Sequence, residues 1–298
     1  MRGIALAALG YFIISGADAA VKYSLDHVGV AGAMLWRGVV GSIAVAVLAR
    51  GRGLWPRNTR LIMARSLMHC TVSLLWYFVW MSGLGLADSY AMASAAPLLM
   101  TLLAIPILGE SVGWRRWVSC MVGFAGVLFM LQPGGDLWRW EAAVLMVAVT
   151  GMAVSRIWTR SLASTDTPHA IAFWLLFLHI PYGLLLLPLE ALRPPGGELN
   201  LFPSWGLVLA LTFFGLANAL AHVLFARAFA LSNVAALAPL EYTVLVWGLV
   251  LGFLIFAEVP AWTTLAGAVV VIAAGIYNLH RERVRRAEER AAARAAAS

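Results

Sequence analysis

From Ser232 to Glu258 the chain is apolar for long enough to cross a bilayer, yet it carries Pro239 and Glu241 well inside the run. About 20 apolar residues suffice for one helical crossing. A carboxylate near the middle of such a helix costs on the order of 2.5–3.5 kcal/mol on insertion scales, so Glu241 is expected to face protein or a water-filled cavity. The run also has an echo. Ala93-x-x-Ala96-Pro97-Leu98-x-x-Thr101 recurs as Ala235-x-x-Ala238-Pro239-Leu240-x-x-Thr243, and each copy continues to a Glu at the end of its span, Glu110 and Glu258. A proline inside a helix removes a donor and disturbs the preceding turn. Pro97 and Pro239 are therefore expected to act as matched hinges.

The rest of the chain supports a membrane reading. Of 298 residues, 62% are hydrophobic and 12% charged, with a mean hydropathy of +0.86. Soluble domains are roughly 45–50% apolar and about 25% charged, so the expected class is an all-α polytopic membrane protein. Ten spans are predicted, at 3–24, 31–49, 62–83, 88–108, 115–131, 140–159, 168–189, 204–226, 233–256 and 262–280, with Gly, Pro and charge at the joints. The apolar run from Ile4, followed by Ala17-Asp18-Ala19, mimics a secretory signal. Because it continues to Leu25 and has a counterpart in the second half, it is read as the first span. Cys70 and Cys120 fall inside spans without metal or redox spacing and are read as inert core thiols.

A net charge of +7 and a pI near 10 would suit nucleic acid only if the charges formed a patch. They lie instead in short loops and in the Arg/Ala-rich tail 281–298, which is expected to rest as a frayed helix on anionic lipid. The partners implied are the bilayer and a small molecule, not nucleic acid. With the N-terminus inside, cytoplasmic segments hold sixteen Lys and Arg: Arg2, five from Arg50 to Arg65, Arg115, Arg116, Arg160, Arg227 and six in the tail. The opposite loops hold only Arg139 and Arg193, so both termini are expected to be cytoplasmic. Lys22, Arg37 and Arg156 remain within spans.

The halves align with a drifting offset: Ser24-Leu25 with Ser161-Leu162, Ala33 with Ala170, then the Pro97 and Pro239 blocks. Units of 1–132 and 133–280 follow, each with five spans. An odd number per unit turns the second upside down in the membrane, and inverted repeats place their ligand site near the midplane between halves.

Several spans carry polar or aromatic residues along one helical face. Tyr11, Ser15, Asp18 and Lys22 mark span 1; His69, Ser73, Trp76, Tyr77 and Trp80 mark span 3; Tyr90, Ser94, Pro97 and Thr101 mark span 4. Span 6 offers Ser155 and Trp158 with Thr159, span 8 Asn218 and His222, and span 9 Glu241 and Tyr242. Spans 1, 3, 4, 6, 8 and 9 are thus expected to line a cavity. Spans 5 and 10, with Gly123, Gly126, Gly267 and Gly275, are expected to pack or face lipid. Plainer roles compete: Asp18 and Lys22 can neutralise each other at i,i+4, and the tryptophans can pack. His69, His179 and His222 sit singly on three helices, which favours interhelical hydrogen bonds over metal ligation. Glu110 and Glu258 read as structural groups at helix ends.

The chain has no HExxH, P-loop, GxSxG or CxxC, so neither an enzyme nor a cofactor is expected. Ten spans in two halves, the Ala-x-x-Ala-Pro-Leu blocks and the Leu240-Glu241-Tyr242-Thr243…Ala257-Glu258 ending resemble the drug/metabolite transporter superfamily with two EamA-type repeats. Within it the chain is most similar to bacterial YddG-type exporters of aromatic and other amino acids. The resemblance covers nearly all of residues 3–280 and implies a basket of ten helices, a central cavity and alternating access across the inner membrane. Ala257 stands where the first half has Gly109, a departure at that helix end. The implied function is export of aromatic and other neutral amino acids; it leaves oligomeric state open, with a monomer sufficient. An exporter of organic cations, with Glu241 and tryptophans as a cation–π cage, is the alternative. An intramembrane enzyme acting on lipid and a membrane scaffold stand further off.

Overall fold

The computed structural model describes residues 2–108, 114–131, 139–194, 200–202, 204–231 and 237–297. Among these, every regular element is a helix: α1 Arg2–Leu48, α2 Thr59–Met81, α3 Leu86–Ala93, α4 Ala96–Leu108, α5 Trp114–Leu131, α6 Trp140–Leu162, α7 Pro168–Phe177, α8 His179–Leu186, α9 Trp205–Leu231, α10 Thr243–Phe256 and α11 Trp262–Ala297. Short 3₁₀ turns lie at Glu190–Leu192 and Ala238–Tyr242. Glu110 and Ala235 of the repeat lie outside the described residues.

Helix α1 is two spans in one. Gly29 has φ 62° and ψ −179°, a backbone conformation open essentially to glycine alone, and the chain bends there into arms 2–28 and 30–48. Their directions follow from α9. Gly10 meets Phe225 and Gly16 meets Phe213, whereas Val40 meets Gly215 and Val45 packs with Ala219 and Val223. The first arm is therefore antiparallel to α9, the second parallel to it, and the two arms antiparallel to each other. Six helices among the described residues are long and apolar enough to cross a membrane, and three shorter apolar ones accompany them. With α1 folded in two, these make the ten crossings expected.

The inversion of the second half is visible in side-chain neighbours. His69 meets His222 and Tyr77 meets Phe214, so α2 opposes α9 and runs with the first arm. Arg65 meets Thr159, Gly151 sits on Val72 and Phe78 lies against Trp140, so α6 opposes α2. The helix that opens the second half thus runs opposite to the one that opens the first.

Apolar burial does little to join helices inside lipid, where the tails are as apolar as leucine; close backbone approach does more. Small residues provide it. A Cβ on Gly126 would lie 3.1 Å from the Gly267 carbonyl oxygen, and one on Gly41 would lie 3.3 Å from that of Gly215. The first contact joins α5 to α11, away from the centre, as expected for spans 5 and 10. Large apolar side chains such as Leu185, Leu209, Leu254 and Val269 stay exposed on the outside, where lipid would meet them. Local signals set helix starts: Asn58 accepts from the Leu61 N–H, and Thr167 accepts from the Ala170 N–H ahead of Pro168. Asp166 ties the facing loops by accepting from the Arg57 N–H at 2.6 Å.

Both proline spans are interrupted. Helix α3 ends at Ala93 and α4 starts at Ala96, because Pro97 has no N–H to donate one turn back. In the second half the 3₁₀ turn Ala238–Tyr242 leads into α10. The tail from Arg281 continues α11 as a helix through residue 297.

Gly29→Ala tests the bend. Its new Cβ would sit 2.6 Å from the Leu192 carbonyl oxygen, on a φ that side chains rarely adopt. We expect a loss of about 1–3 kcal/mol, read as a lowered unfolding midpoint in detergent; an unchanged midpoint would show that the bend tolerates a side chain.

Candidate functional site

A cavity of about 160 Å³ lies between the two halves, room for several waters or a small solute. Both arms of α1 border it, with α2, the α3–α4 break, α6, α9, the 3₁₀ turn and the start of α10. Its lining residues come from spans 1, 3, 4, 6, 8 and 9, and span 2 adds Arg37.

One part of its wall is aromatic. Trp76 and Trp80 pack edge to face at 5.2 Å between centroids, Tyr90 lies 6.2 Å from Trp76, and Tyr77 stacks on Trp80 at 6.2 Å. Two of their polar tips are satisfied inside the protein. Trp80 Nε1–H donates to Ser89 Oγ at 3.0 Å, and the Tyr90 hydroxyl donates to Asp18 Oδ2 at 2.6 Å.

A second part, joined to the first through Tyr77, is cationic. Arg37, 5% exposed, donates through Nη1 to Ser73 Oγ at 2.7 Å and to the Tyr77 hydroxyl at 2.8 Å. Its Nη2 reaches His222 Nε2 at 3.0 Å and His69 Nε2 at 3.3 Å. His179 continues the chain, with Nε2 3.0 Å from Ser73 Oγ and Nδ1 2.7 Å from the Leu175 carbonyl. Arg65 donates to Thr159 Oγ1 and to the Ile171 carbonyl, both at 3.0 Å. Arg156 forms an ion pair with Glu241 and lies over the Tyr11 ring, 5.9 Å from its centroid. At one end of the cavity Lys22 pairs with Glu258, whose other oxygen accepts from the Leu86 N–H at 2.7 Å.

Of the residues singled out from sequence, Tyr11, His69, Trp76, Tyr77, Trp80, Ser94, Ser155, His222 and Glu241 come together on the cavity. Ser15, Thr101, Trp158, Asn218 and Tyr242 do not. Ser15 and Thr101 turn their hydroxyls back onto the carbonyls of Tyr11 and Pro97. Trp158 lies off the arc formed by Met152, Ser155, Arg156 and Thr159, since each helical residue rotates by about 100°. Asn218 is buried one turn beyond His222 and bonds the Phe214 carbonyl. Tyr242 points away toward α11, where Gly275 leaves room for its ring. Pro97 and Pro239 mark the breaks rather than the lining, and the Pro239 side chain lies outside what the structure describes.

Two pairings differ from expectation. Asp18 bonds Tyr90 and Lys22 bonds Glu258, because α3 and the segment that follows α10 bring these partners into reach. The histidines do make interhelical bonds, as read from their placement. Sequence reading missed Arg37, Arg65 and Arg156. For Arg37 and Arg156 the signal was present: each is a charge inside a span, and such charges are functional candidates by default.

The model of the EamA-like transporter family matches residues 1–132 and 139–279, nearly the whole chain. The chain belongs to the EamA-like transporter family. This EamA-like transporter is 29% identical over 232 residues to a riboflavin transporter of Rhizobium johnstonii, covering 76% of this chain and 71% of the relative. It is 28% identical over 234 residues to an S-adenosylmethionine uptake transporter of Rickettsia felis, 76% of each chain. It is 25% identical over 277 residues to the pseudopaline exporter CntI of Pseudomonas aeruginosa, 92% of this chain and 94% of the relative. A solved crystal structure with 16% identity superposes with a TM-score of 0.63 over 95% of this chain and 99% of its own, a likeness of fold. These relatives make the EamA-like chain a multi-pass membrane transporter of small molecules. None of the three named relatives is an aromatic amino-acid carrier, so the narrower resemblance to YddG-type exporters is not carried by them.

The Arg156–Glu241 pair yields a double-mutant test. Glu241→Gln alone leaves a largely buried guanidinium without its counter-charge, a loss on the order of 3 kcal/mol. Adding Arg156→Gln should recover much of that loss in the unfolding midpoint. Strictly additive losses would contradict the coupling.

Proposed function

We propose that this transporter exports neutral amino acids, aromatic and bulky apolar ones included, across the bacterial inner membrane by alternating access, with both termini cytoplasmic. The observation that carries the reading is one cavity holding an aromatic wall together with an acid, Asp18, and a base, Arg37, that form no ion pair with each other. Trp76, Trp80 and Tyr90 offer surface for an apolar side chain, Asp18 lies beside Tyr90, and Arg37 lines the same cavity among neutral donors and acceptors. A zwitterion with an apolar body needs these three features together. The sixteen-to-two distribution of Lys and Arg supports the orientation. Matched breaks at Pro97 and Pro239 supply places where spans 4 and 9 can bend as access switches.

The organic-cation reading loses its anchor. Its cage needed Glu241 free to face a ligand cation, and Glu241 is occupied by Arg156. Relatives named for riboflavin and S-adenosylmethionine, one of them an uptake transporter, define the competing substrates and the competing direction.

Vesicles containing the purified protein test this reading. We expect saturable movement of labelled phenylalanine and tryptophan, recovered chemically unchanged, with little movement of riboflavin, S-adenosylmethionine or a cationic dye. Movement of one of those three without amino acids would overturn the reading. A converted product would favour the enzyme, and no movement of any solute the scaffold.

A further inference from the structure

We propose that Arg37 is the anchor for a ligand carboxylate, its guanidinium and the neighbouring His69 ring forming an anion subsite within the cavity. The proposal rests on the cavity being the transport site and names the group it grips.

Arg37 is a buried cation surrounded by neutral partners. Its two terminal nitrogens bond a serine, a tyrosine and two histidines. The ion pairs among the described residues are Lys22–Glu258, Arg139–Glu141 and Arg156–Glu241, none of them with Arg37. Asp18 is within electrostatic reach of it, but that carboxylate accepts the Tyr90 hydroxyl instead. Taking a charge out of water costs several kcal/mol unless a counter-charge restores it. Here the compensation within the protein comes from dipoles.

The proton positions sharpen this. A guanidinium only donates, so both Nε2 atoms facing Arg37 accept, and the ring hydrogens of His69 and His222 sit on Nδ1. The His69 Nδ1–H is buried without a partner, and so is the Nε–H of Arg37. Both of these unfilled groups are donors, which a carboxylate oxygen can satisfy. A ligand ammonium would find only further hydrogens there. The wider charge balance agrees. Arg37, Arg65 and Arg156 line the cavity against Asp18 and Glu241. Since Arg156 and Glu241 neutralise each other, two guanidiniums face one acid.

Three analogues of one ring separate the groups: phenylalanine, phenethylamine (no carboxylate) and 3-phenylpropionate (no ammonium). Binding is measured to the full chain in lipid nanodiscs. Losing a charge-assisted bond of this kind corresponds to roughly ten- to a hundredfold weaker binding. We expect phenethylamine to bind that much more weakly than phenylalanine. Arg37→Gln should bring phenylalanine and 3-phenylpropionate down to its level while leaving phenethylamine unchanged. Should Arg37→Gln not fold, Arg37→Lys keeps the charge without the fork and should reduce the discrimination; the wild-type comparison stands regardless. Equal binding of phenethylamine and phenylalanine by the wild type overturns the anchor, as does discrimination that survives the substitution. A wild type that binds neither carboxylate overturns it too. Arg37-dependent binding of 3-phenylpropionate without phenylalanine transport would keep the anchor and sink the amino-acid reading; phenylalanine transport without carboxylate discrimination would do the reverse.

Discussion

The buried guanidinium of Arg37 is the constraint around which the centre of this molecule is arranged. A fixed positive charge in the middle of a membrane protein must be solvated by the protein itself. Three of its partners, His69, Ser73 and Tyr77, come from the first half, and His222 comes from the second. Ser73 hands the network on to His179, also in the second half. Two units related by inversion are thereby tied through one polar knot. The knot has well-defined geometry because each terminal nitrogen of Arg37 has specific acceptors; an apolar contact between helices would leave their rotation freer.

Three further bonds across the halves, from two side chains, frame it. Arg65 reaches Thr159 and the Ile171 carbonyl at one end, and Lys22 reaches Glu258 at the other. Between them lies the cavity, lined by tryptophan and tyrosine rings and by guanidiniums. Where lipid contributes little to helix association, glycine contacts and these charged bonds together set how closely the helices approach. The cavity persists between them because its wall is built of side chains with internal partners.

Much of the fold was legible in the chain. Apolar run lengths predicted ten crossings, and the recurring Ala-Pro-Leu block located both broken spans. The site was legible in part. A polar stripe at helical spacing identifies a face, but it does not say how far along the axis that face meets the cavity. Asn218 lies one turn too far, and Ser15 and Thr101 satisfy their own backbones. Asp18 and Lys22 misled because i,i+4 neighbours are evident from sequence, whereas Tyr90 and Glu258 are brought in by other helices. Arg37 stood on a span without a stripe; its importance depends on four partners drawn from two other helices.

If the cavity is the route, its end at Lys22 and Glu258 must open and close as a solute passes. Cysteines at these two positions, in a chain with Cys70 and Cys120 replaced by serine, can be bridged by a short bis-thiosulfonate reagent and released by reductant. Solute flux through vesicles is then followed before bridging, after it, and after release. We expect transport to stop on bridging and to return with reductant. Undiminished flux through the fully bridged protein would contradict a route through that end of the cavity.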